Sequence, residues 1–440
     1  MNENCKEVKI SYYIVLVLTL SVLIFQNKLP NIVFLLLGLL SWMLVFRINI
    51  KKYEIVFTII RMLILSIPLS FTNIWGQSTV YSNISWFNMF IILLFIVTLI
   101  NIFSSIKKLK IKDIFLKLNI LSYLSIIMIF ITLIPLLISF DIIDGIKQYL
   151  YFSVTFSLLI LGNFIKNKLD KDKKEILLLD YILSTRIAAI GVMVQALYKN
   201  ITGVDIGYYR FFGGYRHAFG FLFSDFSFLS LFLASGAIAV FFIKKDGSKF
   251  NKYWIGEMIF LLIASIITSA RTGIVSFIVV FFIYSILRIR SLITSGSVKK
   301  VFLIIFLNIG VLVGSYYLLS KVRPNMKRLF SLSERIELNM EAFGIFMQNP
   351  IFGIGLGRHN YSDLIGMIPH NIVFQSLVQG GLFFTIPLLL FLFTLVWILY
   401  KKDRKLLPVI SLILIGSLFI PNVFHSRFLT VLLLLLSLRI

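Results

Sequence analysis

"NIVFQSLVQGGLFFTIPLLLFLFTLVWILY", residues 371–400, decides the fold class of this chain. It carries no charged residue, and it is longer than the roughly 20 residues needed to cross about 30 Å of hydrocarbon. Such a run is a membrane helix, because in lipid each backbone group must be satisfied within its own segment. Comparable runs fall at 10–25, 30–46, 55–75, 86–103, 119–139, 149–165, 176–198, 219–243, 254–270, 272–287, 301–320, 408–420 and 423–438. The last two read as a re-entrant pair split at Pro421-Asn422 or as two spans. The 440 residues are 59% hydrophobic, with a mean hydropathy of +0.96, where a soluble domain is about half apolar. The alternation of a β-barrel is absent. The expected fold is all-α: one integral membrane domain over residues 1–440, a polytopic bundle of about 12–14 transmembrane helices. The run from Ile10 to Phe25 lacks a small-residue cleavage site and reads as a retained first helix.

The net charge of +24 does not point to nucleic acid, because the basic residues sit in short clusters between apolar runs. With the N-terminus in the cytoplasm, the clusters fall on one side, as the positive-inside rule requires. They are Arg47, Lys51 and Lys52; Lys107 to Lys117; Lys166 to Lys174; Lys244 to Lys252; Arg288 to Lys300; and Lys401 to Lys405. The opposite short loops, 76–85 and 140–148, are nearly free of positive charge. The lone cysteine, Cys5, implies neither a disulfide framework nor a metal site.

Two segments on the outer side break this pattern: a smaller extracytoplasmic loop, 199–218, and a large one, 321–370. Their positive charge is mostly arginine, with Arg210, Arg216, Arg323, Arg328, Arg335 and Arg358, and Arg271 lies on the same side. Arginine's planar fork grips phosphate bidentately and stays protonated when partly desolvated. In the large loop, Ser331 and Glu334 have capping-box spacing. Ile336, Met340, Phe343 and Met347 then share a face, which predicts an amphipathic helix on the membrane surface or on the bundle. It ends at Asn349-Pro350 and is followed by Gly353, Gly355 and Gly357, a tight turn allowing close backbone approach.

Several stretches can carry chemistry. "YYRFFGGYRHAFG" (208–220) joins two arginines, two glycines and a set of aromatics. It reads as an anion site with sugar-stacking surfaces, or as an interfacial aromatic belt. In "SARTG" (269–273), Arg271 stands between two apolar runs with almost no loop. A charge there faces a cavity or a partner, or snorkels to the surface. Arg61, Asp180, Arg186 and Glu257 fall inside apolar spans and read as structural pairs or as an ion relay. Of the four histidines, His217, His359 and His425 read as surface or packing residues. His370 differs: it follows Pro369 at the start of the 371–400 run, where a neutral imidazole can accept a proton. None of them has metal-site spacing.

The order of these stretches resembles the superfamily of O-antigen ligases and polymerases. The resemblance rests on "NPIFGIGLG" (349–357) with Pro350, Gly353 and Gly355, then His370-Asn371 and Gly381. Arg210 with Gly213 resembles the family's arginine-glycine segment, and "SARTG" its serine-arginine segment. "YRHAFG" (215–220) departs from the proline-asparagine pair of many members. The similarity covers mainly 205–385.

That resemblance implies a multi-pass enzyme of the bacterial plasma membrane with its active site on the outer face. The donor would be an oligosaccharide on undecaprenyl diphosphate, and the acceptor a sugar hydroxyl of another lipid-linked repeat unit. Neither metal nor cofactor is expected. His370 would be the catalytic base, and Arg210, Arg271 and Arg216 would bind the diphosphate. Membrane lipids, a flippase and chain-length regulator proteins are the expected partners. Two rival readings remain: a ligase placing finished glycan on a lipid, protein or wall acceptor, and a polysaccharide-lipid flippase. The flippase would call for inverted repeats or midplane charges, and no convincing internal repeat is present. The Ile-, Lys-, Asn- and Phe-rich composition favours the polymerase through an AT-rich genome lacking lipopolysaccharide.

Overall fold

The computed structural model describes residues 4–26, 28–77, 84–106, 118–212, 216–244, 253–294, part of 301–317, 333–357, 364 and 368–440. Four helices, α1 (Asn4–Phe25), α2 (Asn31–Ile50), α3 (Ile55–Leu65) and α4 (Trp86–Ile106), come first. They are followed by α5 (Ile120–Ile131), α6 (Leu133–Leu137), α7 (Ile142–Ile165) and α8 (Lys171–Thr202). A hairpin of β1 (Tyr209–Phe212) and β2 (Arg216–Phe219) leads into α9 (Phe226–Lys244), α10 (Trp254–Ile267) and α11 (Thr272–Thr294). After α12 (Ser333–Gln348) the chain closes with α13 (Ile372–Lys402), α14 (Leu407–Ser417) and α15 (Arg427–Arg439). Among the described residues, six helical segments are long and apolar enough to cross a membrane, and shorter apolar helices accompany them. The chain is a helical polytopic membrane protein.

Polar side chains start several of these helices by satisfying the free N–H groups of the first turn. Asp170 accepts from Lys173 N at 2.8 Å to open α8, and Asn119 accepts from Ser122 N at 2.8 Å to open α5. Gly203, at φ 71°, ends α8 in the left-handed region.

Some expected spans are shorter or broken. The 55–75 run is helical only to Leu65 and then passes into a 3-10 turn, Ile67–Leu69, where Pro68 lacks the N–H an α-helix needs. The 119–139 run breaks at Thr132, whose hydroxyl bonds back to the Met128 carbonyl. The 219–243 run becomes helical only at Phe226. Phe221 at φ 54° turns the chain before it, and the Asp225 carboxylate accepts from Ser227 N and Phe228 N. Asn422 at φ 51° and a 3-10 turn, Val423–His425, separate α14 from α15 at the Pro421-Asn422 split read from the sequence.

The connections gather at two ends. One carries the lysine clusters around residues 51–54, 166–170 and 401–405. The other carries the β-hairpin, the α10–α11 turn, the segment before α13 and the α14–α15 turn. These are tied together by contacts such as Arg216 to Ser269 and Gln375 to Asn422. Between the ends, Arg61 of α3 and Asp180 of α8 form a fully buried pair at 2.7 Å, and Asn49 of α2 accepts from the same guanidinium. Arg186 pairs with Glu257. The in-span charges are thus structural pairs.

Of the predicted amphipathic helix, α12 covers Ser333–Gln348; Ser331 lies outside the described residues. Ala342 and Phe346 pack against Ile368 and Val378. Ile336, Met340, Phe343 and Met347 are exposed on the other side. The helix therefore lies on the bundle through one face and leaves the predicted apolar face uncovered.

Candidate functional site

The β-hairpin is the first component. Its base is closed by Gln195 of α8, buried, which donates to the carbonyls of Ile206 (2.6 Å) and Tyr208 (3.1 Å) and accepts from Phe221 N (2.7 Å). The register pairs Arg210 with Ala218 and Phe212 with Arg216. Side chains alternate faces along a strand, so Arg210 and Arg216 share one face. Tyr209, Phe211, His217 and Phe219 share the other, where their rings pack together. Arg216 lies over the Phe212 ring and bonds Ser269 twice, Nε to Oγ at 2.6 Å and Nη2 to the carbonyl at 2.9 Å. Arg210 is exposed over the Tyr208 ring, 5.5 Å from its centroid. Burial pushes the Tyr208 phenol up, and the Arg210 charge pulls the other way. Gly213 lies outside the described residues.

The α10–α11 turn is the second component. Ser269 adopts φ 63°, rare for a residue with a Cβ, and Arg271 follows two positions later at the start of α11. Gly273 lets α11 lie directly on α9: a Cβ there would strike the Ser230 carbonyl. The Arg216 side chain is thus bonded to Ser269, two positions before Arg271 in sequence, and Arg210 faces the same way as Arg216.

The third component is a helix that opens to accept a loop. Inside α13, Gly381 adopts φ 57° and ψ −159°, which breaks the intrahelical hydrogen bonds around it. The glycine turn fills the gap. Ile354 N donates to the Val378 carbonyl (2.8 Å) and Gly355 N to that of Gln379 (3.1 Å). Leu382 N and Phe383 N donate to the carbonyls of Pro350 (2.8 Å) and Ile351 (3.0 Å). The Val378 and Gln379 carbonyls and the Leu382 and Phe383 N–H groups, which a straight helix would pair with one another, are thus re-paired. Cβ atoms at Gly353 or Gly381 would collide with the facing backbone, and both residues have positive φ. Gly355, at φ 96°, lies against the Ser139 backbone. The interlock fixes the first turn of α13, where Asn371 caps the helix by accepting from Val373 N (2.8 Å) and Phe374 N. His370 stands at this cap, half-buried.

Below His370, one face of α13 carries Asn371, Gln375 and Gln379 at helical spacing. Gln379 donates to Gln148 of α7 at 2.7 Å, and Gln148 also accepts from Gly357 N. Gln375 bonds both Gln379 and the Asn422 side chain, and it accepts from Asn422 N at 2.8 Å. The α14–α15 turn is thereby tied to the histidine helix. It also carries Arg427, 4% exposed, which donates to the His425 carbonyl (2.7 Å) and to the Tyr151 hydroxyl (3.2 Å). Arg427 lies over the Phe71 ring, which packs on Phe223 just beyond β2. The turn therefore sits between the arginine group and the histidine group.

The sequence reading missed Arg427 and the Gln148–Gln379–Gln375–Asn422 chain. An arginine within an apolar hairpin, next to Pro421-Asn422, was the available signal. His425 was read as surface or packing; it is a buried packing residue, its ring tilted against that of Tyr151 with centroids 4.5 Å apart.

No curated protein matches the chain. Residues 257–389, which hold Arg271, Pro350, the glycine turn, His370, Asn371 and Gly381, match the family described as O-Antigen ligase.

Proposed function

We propose that this protein is a polysaccharide polymerase of the bacterial plasma membrane. It transfers a glycan from undecaprenyl diphosphate to a sugar hydroxyl of a second lipid-linked repeat unit, on the outer face. The observation that carries the reading is the interlock at Gly381. There the sequence elements of the matched domain close on one another and hold His370 at a capped helix start. Arg216, bonded to Ser269, and Arg271 stand at the same end of the bundle.

In this reading the acceptor oxygen attacks the anomeric carbon and the bond to the diphosphate oxygen breaks. The acceptor proton passes to the His370 imidazole. A single displacement inverts the anomeric centre. The departing diphosphate gains negative charge, and Arg271 and Arg210, with Arg216 as support, stabilise it without a divalent cation. Asn371 and the residues of the glycine interlock keep the histidine in place.

The matched family's description favours a second reading, a ligase that places finished glycan on another acceptor. Purified protein given a defined lipid-linked repeat separates the two. A ladder of lengthened lipid-linked chains supports the polymerase. Transfer only to a distinct acceptor supports the ligase, and glycan translocation without transfer supports a flippase. His370→Ala is expected to insert and fold yet leave single repeat units on the carrier. Normal polymer from that variant would remove His370 from the mechanism.

A further inference from the structure

A cavity of about 320 Å³ lies between α4 and α7, floored by the start of α15. Its polar part is built by Arg427 and Lys147, with the Tyr151 and Thr430 hydroxyls and Asn88 nearby. Its apolar walls include Val154 and Phe424, and its flanks include Ile92 and Leu150, 59% and 54% exposed. In a chain that spans a membrane, exposed apolar flanks of this kind face lipid. The crevice therefore opens sideways toward lipid, and helix order places its cationic part at the end of the bundle that carries His370.

The arginine is held as a built site would hold it. The guanidinium is stacked by Tyr151, 4.5 Å from the ring centroid, and by Phe71 at 5.0 Å, and oriented by the His425 carbonyl. Its Nε atom is buried with no hydrogen-bond partner among the described residues. No carboxylate among the described residues pairs with Arg427 or Lys147, whereas Arg61, Arg186 and Arg439 each have one. A buried guanidinium without an acid beside it is costly unless an anion comes to it. Arginine stays charged and matches phosphate oxygens in pairs.

We propose that this crevice binds the phosphate headgroup of a membrane lipid. Arg427 and Lys147 hold the phosphate, the Tyr151 and Thr430 hydroxyls lie beside its oxygens, and the apolar chain leaves between Ile92 and Leu150. Arg427 lies outside the segment matched to the O-antigen ligase family, and the site is a separate one from the arginines around Ser269. Its use as the seat of a lipid-linked glycan rests on the proposed function; lipid binding itself does not.

The test is binding, read without turnover. Full-length protein in nanodiscs of neutral lipid is titrated with fluorescent farnesyl phosphate, with phosphatidylglycerol and inorganic phosphate as competitors. Lys147→Glu changes an exposed side chain and is expected to weaken farnesyl phosphate binding at least about tenfold, the scale of a charge-assisted contact. Arg427→Gln is expected to weaken it further, with thermal melting run alongside to confirm folding. Competition by phosphatidylglycerol identifies a general phospholipid site, and its absence a polyprenyl phosphate site; both support a lipid phosphate. Unchanged binding in folded Lys147→Glu and Arg427→Gln overturns the proposal. So does competition by inorganic phosphate as strong as that by the lipid. Unchanged binding in these variants beside normal polymer would remove this site alone. Intact binding with no glycan transfer would remove the enzymatic reading alone.

Discussion

The two ends of the bundle treat positive charge in opposite ways. Toward the lysine-rich end, guanidinium groups are answered by carboxylates: Arg61 by Asp180, Arg186 by Glu257, and Arg439 by Asp403 and Glu175. At the hairpin end, Arg216 is held by the Ser269 hydroxyl and carbonyl, Arg427 by a carbonyl, a phenol and two rings, and Arg210 by the Tyr208 ring. Among the described residues, the exposed pair Lys199–Asp205 departs from this pattern. A carboxylate cancels a charge where it stands. Carbonyls, hydroxyls and ring faces orient the charge and leave its field directed outward. The first arrangement holds helices together, and the second can act on an anionic substrate.

The largest expected effect tests the first half of that contrast. Asp180→Ala leaves the Arg61 guanidinium fully buried without its partner. Breaking a buried pair from one side costs about 3–5 kcal/mol, enough to lower the melting temperature sharply and reduce the yield of folded protein. The double variant Arg61→Met/Asp180→Leu replaces both charges with apolar groups and is expected to melt well above the single variant. A single variant as stable as the parent would show that the pair contributes nothing to the bundle.

Arg271→Lys probes the other end. The substitution keeps the charge and removes the planar fork. Thermal stability is expected to change far less than in Asp180→Ala, because the charge is kept. Glycan transfer should fall by about 10²-fold in kcat, the scale of losing one preorganised donor. Near-parental turnover would mean that Arg271 snorkels to the surface, and the contrast between the two ends would then rest on Arg427, Arg216 and Arg210.

The division of labour was only partly readable from residues. Apolar length and the lysine clusters carried the helix series, because lipid admits few alternatives to a helix. The Gly380-Gly381 pair and the glycine turn were visible as separate irregularities. Their interlock was not, since it joins Val378 and Gln379 to a segment more than twenty residues earlier through backbone groups alone. The hairpin was signalled by alternating residues around Gly213-Gly214, but the arginines and aromatics of the stretch were read as an anion site or an aromatic belt, and not as strands. Arg210 and Arg216 were singled out by their side of the membrane, whereas their shared face comes from strand register. Arg427 was lost inside the apolar run 423–438, where hydropathy averages one charge away. Asp180 and Arg186 lie six apart on one helix and gave no hint that their true partners sit on α3 and α10.

The smallest expected effect separates the arginines from each other. Arg210 is exposed and, among the described residues, held by the Tyr208 side chain, whose ring contact is worth about 0.5–1 kcal/mol at such sites. Exposed charges are screened within about 10 Å at 0.1 M salt, so the contribution of Arg210 to holding a diphosphate should fade as ionic strength rises. Arg210→Gln is expected to lower kcat/KM for the lipid-linked donor a few-fold at low salt and to become indistinguishable from the parent near 0.5 M salt. Arg216, half-buried and bonded twice to Ser269, is shielded from that screening. The defect of Arg216→Gln should persist across the same salt series and appear in kcat, because Ser269 and the adjoining turn lose the contact that fixes them beside Arg271. Equal salt dependence in the two variants would mean that both arginines act from solution, and that the shared face of the hairpin does not divide into a capturing and a positioning cation.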